Sequence, residues 1–453
     1  MNRFPLLSKL LAIGLLTALL ATALATVSGL VDERRQTRQA AVEQIARAHA
    51  GEQTLSGPVL AIPYTETYPV RVDTPGLPGQ PHTEMKTREA VAIQFPQTWA
   101  VDASLDTEVR QRGIFPVTVY TSEQQARGRF VVQPVRPRAS EGQVTLGQPR
   151  LLLGTSDLRG LRSAPRLRVN GQDLTVTPSP AGSPAALPLT GLLPAAAATP
   201  DTVLEVQLDL HLAGTGRIAW MPLAHENTVH LRSPWPHPSF DGDLLPSQRQ
   251  VGEGGFEATW RIPSLSTRAQ QQFLTHLREP AGAVEAFGVS LSDPVDPYRL
   301  ADRATKYGLL FVLLTFAAFF VLEMVKRWRI HPMQYLMVGS AMVLFFLLLL
   351  SLSEHMPFAL AYLTASGACI TLLGHYLRHV LGGWHAGLGL AGMLVALYGV
   401  LYGILVSEDN ALMMGSLLLF GVLAAIMVAT RRLDWYSVMG TDARPAATAH
   451  HPG

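Results

Sequence analysis

YGLLFVLLTFAAFFVLEMV, residues Tyr307–Val325, decides how the whole chain is read. A single acidic residue, Glu323, interrupts an apolar run long enough to cross a bilayer core, which takes about 20 residues of helix. Toward the C terminus four more runs follow, Met333–Leu352, Met356–Leu377, Leu381–Val406 and Ala411–Thr430. Lys326, Arg327 and Arg329 close the first run, Arg378 and His379 the third, Arg431 and Arg432 the fifth. Glu354 follows the second, and Glu408 with Asp409 the fourth. Cytoplasmic loops retain Lys and Arg, so the basic ends are expected inside. A soluble helical bundle would not keep five such runs so nearly free of charge.

Toward the N terminus, Arg3 and Lys9 precede an uncharged run from Leu10 to Val31. Two readings compete for it. As a signal peptide it would be cut near Ala23-Leu24-Ala25; as a signal anchor it stays and spans the membrane. The run exceeds a typical signal-peptide apolar region of about 7–15 residues, which favours the anchor. The anchor gives six spans and two cytoplasmic termini. Asp32 to Ala50 reads as a helix continuing outward, and its Arg34, Arg35 and Arg38 mildly oppose that orientation.

Between about Leu55 and Ser292 the pattern switches to period two, the mark of strands. Leu204, Val206, Leu208, Leu210 and Leu212 alternate with Glu205, Gln207, Asp209 and His211. Val91, Ile93 and Phe95 alternate likewise, as do Phe256, Ala258, Trp260 and Ile262. Asn170-Gly171 is the dipeptide of a tight hairpin. Thr267–Leu277 is the one clear helical stretch. Thr177–Pro200, dense in Pro and Ala, reads as a loop or linker between two β lobes.

The expected fold is therefore a polytopic α-helical membrane protein of six transmembrane helices with a large β-rich periplasmic domain. Its expected parts are a signal-anchor helix (1–31), a juxtamembrane helix (32–54), the β domain (55–298), a five-helix block (299–432) and a disordered cytoplasmic tail (433–453). The net charge of +2 and the absence of a basic tract interleaved with aromatics exclude a nucleic-acid partner. Membrane lipids are the expected neighbours of such spans. One cysteine, Cys369, allows no intrachain disulfide.

Candidate functional residues are few. Ser353, Glu354 and His355 stand at the outer end of the third span from the N terminus, where a carboxylate beside an imidazole can relay protons or bind a cation. Successive helical residues diverge by roughly 100°, so the pair would not face each other in a continued helix, and a short interfacial turn is the blander reading. Glu323 has Arg327 four residues on, a local ion pair. Trp235, in Ser233–Phe240, sits either in a binding loop or in a packed corner. Gly383 with Gly387, and Gly399 with Gly403, allow close helix approach. No HExxH, G-x-S-x-G or phosphate-binding loop is present, and His211, His225, His230 and His237 lack ligand spacing, so neither enzyme nor cofactor is expected.

Several blocks carry a family resemblance: Gly57-Pro58-Val59-Leu60 with Ile62-Pro63-Tyr64; Arg110 to Phe115, running to Val119-Tyr120; and Trp235–Phe240 through Gly242 and Leu244-Leu245-Pro246 to Gly255–Trp260. Others lie near the membrane: Arg303–Gly308, Leu314-Thr315-Phe316, Glu323, His331–Leu336, Leu347–His355 and Ala361-Tyr362-Leu363. In these the chain resembles the CreD family of bacterial inner-membrane proteins. The resemblance implies a Gram-negative inner-membrane protein tied to envelope integrity and stress, and a functional link to the CreBC two-component system. It supplies no catalytic residue. The expected role is non-enzymatic, with the β domain contacting periplasmic or outer-membrane components. The alternative is transport of an ion or lipid through Glu323, Glu354 and His355.

Overall fold

The computed structural model describes residues 5–73, 81–139, 141–179, 187–279, 282–291, 296–326, 330–380, 384–407 and 410–431. Arg3, Ser292, Pro294, Arg327, Arg329, Gly383, Glu408, Asp409, Arg432 and the tail 433–453 lie outside them. The chain divides into two units, Met1–Arg38 with Val295–Gly453, and Gln39–Pro294.

The first unit is a helical bundle. Helix α1 (Pro5–His49) runs unbroken past Ala23-Leu24-Ala25 and ends short of the expected juxtamembrane boundary, since residues 53 and 54 already belong to strand Gln53–Asp73. Helix α2 (Ala269–Arg278) belongs to the other unit. Then come α3 (Pro297–Lys326), α4 (Pro332–Ser353), α5 (Phe358–Val380), α6 (Trp384–Val406) and α7 (Ala411–Thr430). All but α2 are long and apolar enough to cross a membrane, six among the described residues.

Leu20, Leu24 and Val27 of α1 share one core with Phe311, Phe316 and Phe346 of α3 and α4. Two glycines allow that approach. A Cβ on Gly339 would collide with Leu20, and one on Gly308 would stand 3.0 Å from Leu24 and 3.1 Å from Phe346. Of the glycines flagged in the sequence, Gly387 backs onto Arg378 of α5 and Gly403 onto Met414 of α7, so both serve packing within the chain. Polar groups inside a bilayer must find partners in the protein. Accordingly the Tyr362 hydroxyl donates to the Tyr398 carbonyl at 2.7 Å, and the Cys369 thiol lies 3.3 Å from the Tyr398 hydroxyl.

The second unit is two β-sheets with a common apolar core. One sheet runs in the order Ser239–Gly242, Phe287–Ser290, Arg217–Trp220, Gln53–Asp73, Arg150–Thr155, Leu189–Leu192, Val176–Pro178; Pro81–Gln94 and Gln143–Leu146 also pair with Gln53–Asp73. The other runs Gln248–Gly252, Gly255–Pro263, Glu226–Ser233, Thr98–Arg112, Phe115–Val131, Val203–Thr215, Arg166–Val169, Gln172–Leu174. The leucines of Val203–Thr215 are buried and their charged alternates mostly exposed, as period two demands. Asn170 and Gly171 have φ of 49° and 80°, the left-handed pair of a type I′ turn. Helix α2 covers the outer face of the first sheet, with Ala269 and Phe273 packed on Val59, Ala61 and Leu152.

Thr177–Pro200 corrects an expectation. Its described residues, 177–179 and 187–200, do not form a linker between lobes. Val176–Pro178 and Leu189–Leu192 pair with each other, and the latter pairs with Arg150–Thr155 inside one sheet. Leu187 and Leu193 are fully buried, and Ala197 and Ala198 sit in a short 3-10 turn against the core. Counting Pro and Ala hides three leucines, at 187, 189 and 193, that pack inward from a strand and its flanks.

Candidate functional site

The polar groups of the helical unit gather at its two ends. At the end where α1 begins and α3 finishes, Lys9 forms an ion pair with Glu323. Its ammonium also donates to the Ile330 carbonyl at 2.8 Å. The Glu323 carboxylate accepts the Tyr335 hydroxyl at 3.2 Å and the Ile330 N–H at 3.3 Å. Lys9 stands 5.9 Å from the centre of the Tyr335 ring, a cation–π distance. Phe316 and Phe319 meet that ring edge-on at 5.3 and 6.1 Å.

The expected partner of Glu323, Arg327, lies outside the described residues; the partner the structure assigns is 314 positions away. Local spacing could only propose a neighbour four residues on. Three donors, the Lys9 ammonium, the Tyr335 hydroxyl and the Ile330 N–H, close on this carboxylate as a clasp. Beside it α4 starts from His331, whose imidazole accepts the Met333 N–H at 3.2 Å while Gln334 accepts the His331 N–H at 3.0 Å.

At the opposite end three arginines of α1 each find a carboxylate. Arg34 Nε lies 3.6 Å from Glu354, which also accepts the Tyr298 hydroxyl at 3.1 Å. Arg35 lies 3.8 Å from Asp302, itself bonded by Lys306 at 2.8 Å. Arg38 donates to Asp296 at 2.9 Å, and Asp296 accepts the Tyr298 N–H at 3.0 Å. Arg34 and Arg38 are one helical turn apart and so share a face.

Ser353, Glu354 and His355 are not a joint site. The Ser353 hydroxyl is buried and donates to the Leu350 carbonyl at 2.9 Å. Glu354 caps the C terminus of α4 and turns inward, 9% exposed at its side chain. His355 is exposed in the turn to α5. Trp235, in the β unit, is half-buried against the core; its indole N–H donates to the His237 carbonyl at 2.9 Å. Phe240 follows, edge-on to Phe256 and Trp260 at 5.7 and 5.8 Å. The stretch is a packed corner whose outer rim remains accessible.

Sequence reasoning passed over one junction. His49, the last residue of α1, is 7% exposed. Arg162 Nη2 lies 2.9 Å from its Nδ1, and Arg110 Nη1 lies 3.5 Å from the same nitrogen. Arg110 in turn meets Glu108 at 3.2 Å. Burial, then Arg162 and Arg110, push the imidazole below its ordinary range. Next along the chain, Gly51 donates to Asp157 at 3.0 Å and Gln53 donates to the carbonyls of Asp157 and Ala213, both at 3.0 Å. A hydrogen bond from Arg159 leads the causes that lower Asp157 to about 2. Nothing local in Arg47-Ala48-His49 signals this, because both guanidiniums arrive from distant strands and turns.

A pH dependence follows. An unfolded His49 titrates near 6.5 and the folded one lower, so the unfolded chain binds more protons as pH falls through that window and stability declines. Asp157, also lowered, adds a second decline from near 3.8 toward about 2. Thermal unfolding of the full chain in detergent, followed by tryptophan fluorescence, should show a lower midpoint on acidification through pH ~6.5. His49→Gln should flatten that first step alone; an unchanged slope contradicts the assignment.

The family model described as "Inner membrane protein CreD" matches residues 5–436. The curated Inner membrane protein CreD of Escherichia coli (strain K12) is 34% identical over 437 residues, spanning 96% of this chain and 95% of that protein. Among solved structures, the M1 zinc metallopeptidase from Deinococcus radiodurans aligns at 11% identity over 43% of this chain and 42% of that one, with a TM-score of 0.20. A mutant of a two-domain M1 zinc metallopeptidase bound to L-tryptophan aligns at 11% identity over the same shares, with a TM-score of 0.19. Both alignments take in less than half of either chain.

Proposed function

The chain belongs to the CreD family of inner membrane proteins, and on that premise we propose that it is a non-enzymatic envelope protein whose β unit works on the periplasmic side. The supporting observation is the pairing of Arg34, Arg35 and Arg38 with Glu354, Asp302 and Asp296. These arginines are the one feature of the sequence that opposes a periplasmic β unit. Carboxylates hold them in the folded bundle, and a long exported domain translocates largely regardless of such charges, so they weigh little against Lys9, Arg378 and Arg431 at the other end of the bundle. In this reading both termini are cytoplasmic. The strand-rich unit, inserted between α1 and α3, contacts envelope components and supports envelope integrity or the response to envelope stress. A functional link to the CreBC regulatory system is part of the same proposal.

Transport by intramembrane carboxylates has weaker support, because Glu323 and Glu354 already hold partners at the bundle ends. The test uses the full chain in intact cells. A photoreactive residue at Trp235 is expected to capture a periplasmic or outer-membrane component, and a reporter enzyme fused after Ser353 should be active only outside the cytosol. Capture of cytosolic proteins, or a reporter active inside, overturns the reading.

A further inference from the structure

Strand Pro81–Gln94 pairs with Gln53–Asp73 along one edge, and no described strand pairs with its other edge. Beyond Thr67, where Gln143–Leu146 stops pairing, the two strands continue as a ribbon of their own. A two-stranded ribbon is marginal in water and gains from a third strand. The free edge includes five consecutive exposed residues, Thr83, Glu84, Met85, Lys86 and Thr87. Met85 is 58% exposed. Neither Glu84 nor Lys86 has an ion-pair partner among the described residues; across the ribbon they face Val70 and Tyr68.

Read in both directions, this run is a charge palindrome. Placed antiparallel to itself and centred on Met85, it sets Thr83 opposite Thr87, Glu84 opposite Lys86, and Met85 opposite Met85. Cross-strand Thr–Thr, opposite-charge and apolar pairs are each favourable, and each except the central one occurs twice about a twofold axis. Neighbouring registers fail. Centred on Glu84, two carboxylates meet. Centred on Lys86, two ammoniums meet, and Arg88 is drawn from Glu66, which it already pairs with inside the chain. Centred on Thr87, Lys86 meets Arg88. Charges on edge strands usually discourage pairing; here they forbid the wrong registers and permit one.

We propose that two copies of this chain associate through an antiparallel pairing of Pro81–Glu89 with its symmetry mate, centred on Met85. The occupant is a second copy because the pattern complements itself. This stands independently of the function proposed above.

The experiment is cysteine crosslinking of the full chain in native membranes, with Cys369, the sole cysteine, replaced by alanine. Met85→Cys is expected to give a disulfide-linked dimer on mild oxidation. Thr83→Cys and Thr87→Cys should crosslink when the two variants are co-expressed, and poorly when either is alone. In the Met85→Cys background, Glu84→Lys or Lys86→Glu should cut the yield roughly tenfold, since two attractive pairs become repulsive, and the double exchange should restore it. Four outcomes overturn the proposal: no dimer from Met85→Cys, an equal yield from the exposed Val109→Cys on another strand, single charge changes without effect, or a crosslink to a different protein.

Discussion

Replacing Lys9 by methionine is expected to leave little full-length protein in the membrane, and Glu323→Gln should do nearly as much harm. Each single change strips a partner from a paired group, and breaking a buried ion pair costs about 3–5 kcal/mol. The two side chains keep 22% and 14% exposure, so the lower part of that range is appropriate. Tyr335, whose hydroxyl bonds Glu323, is 1% exposed, and two phenylalanines wall its ring. The double change Lys9→Met with Glu323→Met should recover most of the loss, because an apolar pair of similar size is well tolerated there. Quantitative blots of membranes, with thermal midpoints in detergent, measure all three variants. Additive losses in the double variant sink the clasp. The same experiment settles the fate of α1. Were the N-terminal segment removed after export, Lys9 would be absent from the mature chain, and its replacement could not alter the mature chain's stability.

How far the sequence carries depends on the range of the interaction. The helices follow from runs of apolar residues, which any window sees: α7 begins and ends where the apolar run does, and α4 gains one residue at each end. Asn170-Gly171 dictates its own turn through two left-handed residues, a purely local cause. Val203–Thr215 announces itself by alternation. What stays hidden is pairing at long range. The parallel ladders Thr98–Ser104 with Glu226–Arg232, and Gln53–Leu55 with Ile218–Trp220, join strands more than a hundred positions apart. No spacing rule reaches that far. Lys9 with Glu323 is the same lesson in charge. The local rule offers Arg327, while α1 brings a cation from the other end of the chain. Arg34, Arg35 and Arg38 likewise meet Glu354, Asp302 and Asp296, partners that no local rule supplies.

Charge reversal at Glu354 is expected to be as damaging as the loss of Lys9, whereas its neutralisation should be mild. Two contacts decide the difference. Arg34 is 44% exposed and 3.6 Å away, so its attraction is screened by solvent and worth little by itself. The Tyr298 hydroxyl at 3.1 Å is the better contact, and a glutamine oxygen can still accept it. Glu354→Gln should therefore cost about 1 kcal/mol. Glu354→Lys places an ammonium where the hydroxyl of Tyr298 has lost its acceptor and where Arg34 and Arg38 are near. It should abolish accumulation in the membrane, and Arg34→Glu should partly restore it by exchanging the signs of the pair. A transport mechanism that cycles protons or cations on this carboxylate predicts the opposite order: Glu354→Gln would then insert normally and be dead. His355→Ala should be silent if the imidazole is only an exposed turn residue. Membrane abundance and rescue of envelope-stress sensitivity, measured together on Gln, Lys and Ala variants, separate the two. A Gln variant with full abundance and no rescue makes Glu354 a working group; equal rescue by the Gln variant and the wild type leaves it a structural fastening between α1, α3 and α4.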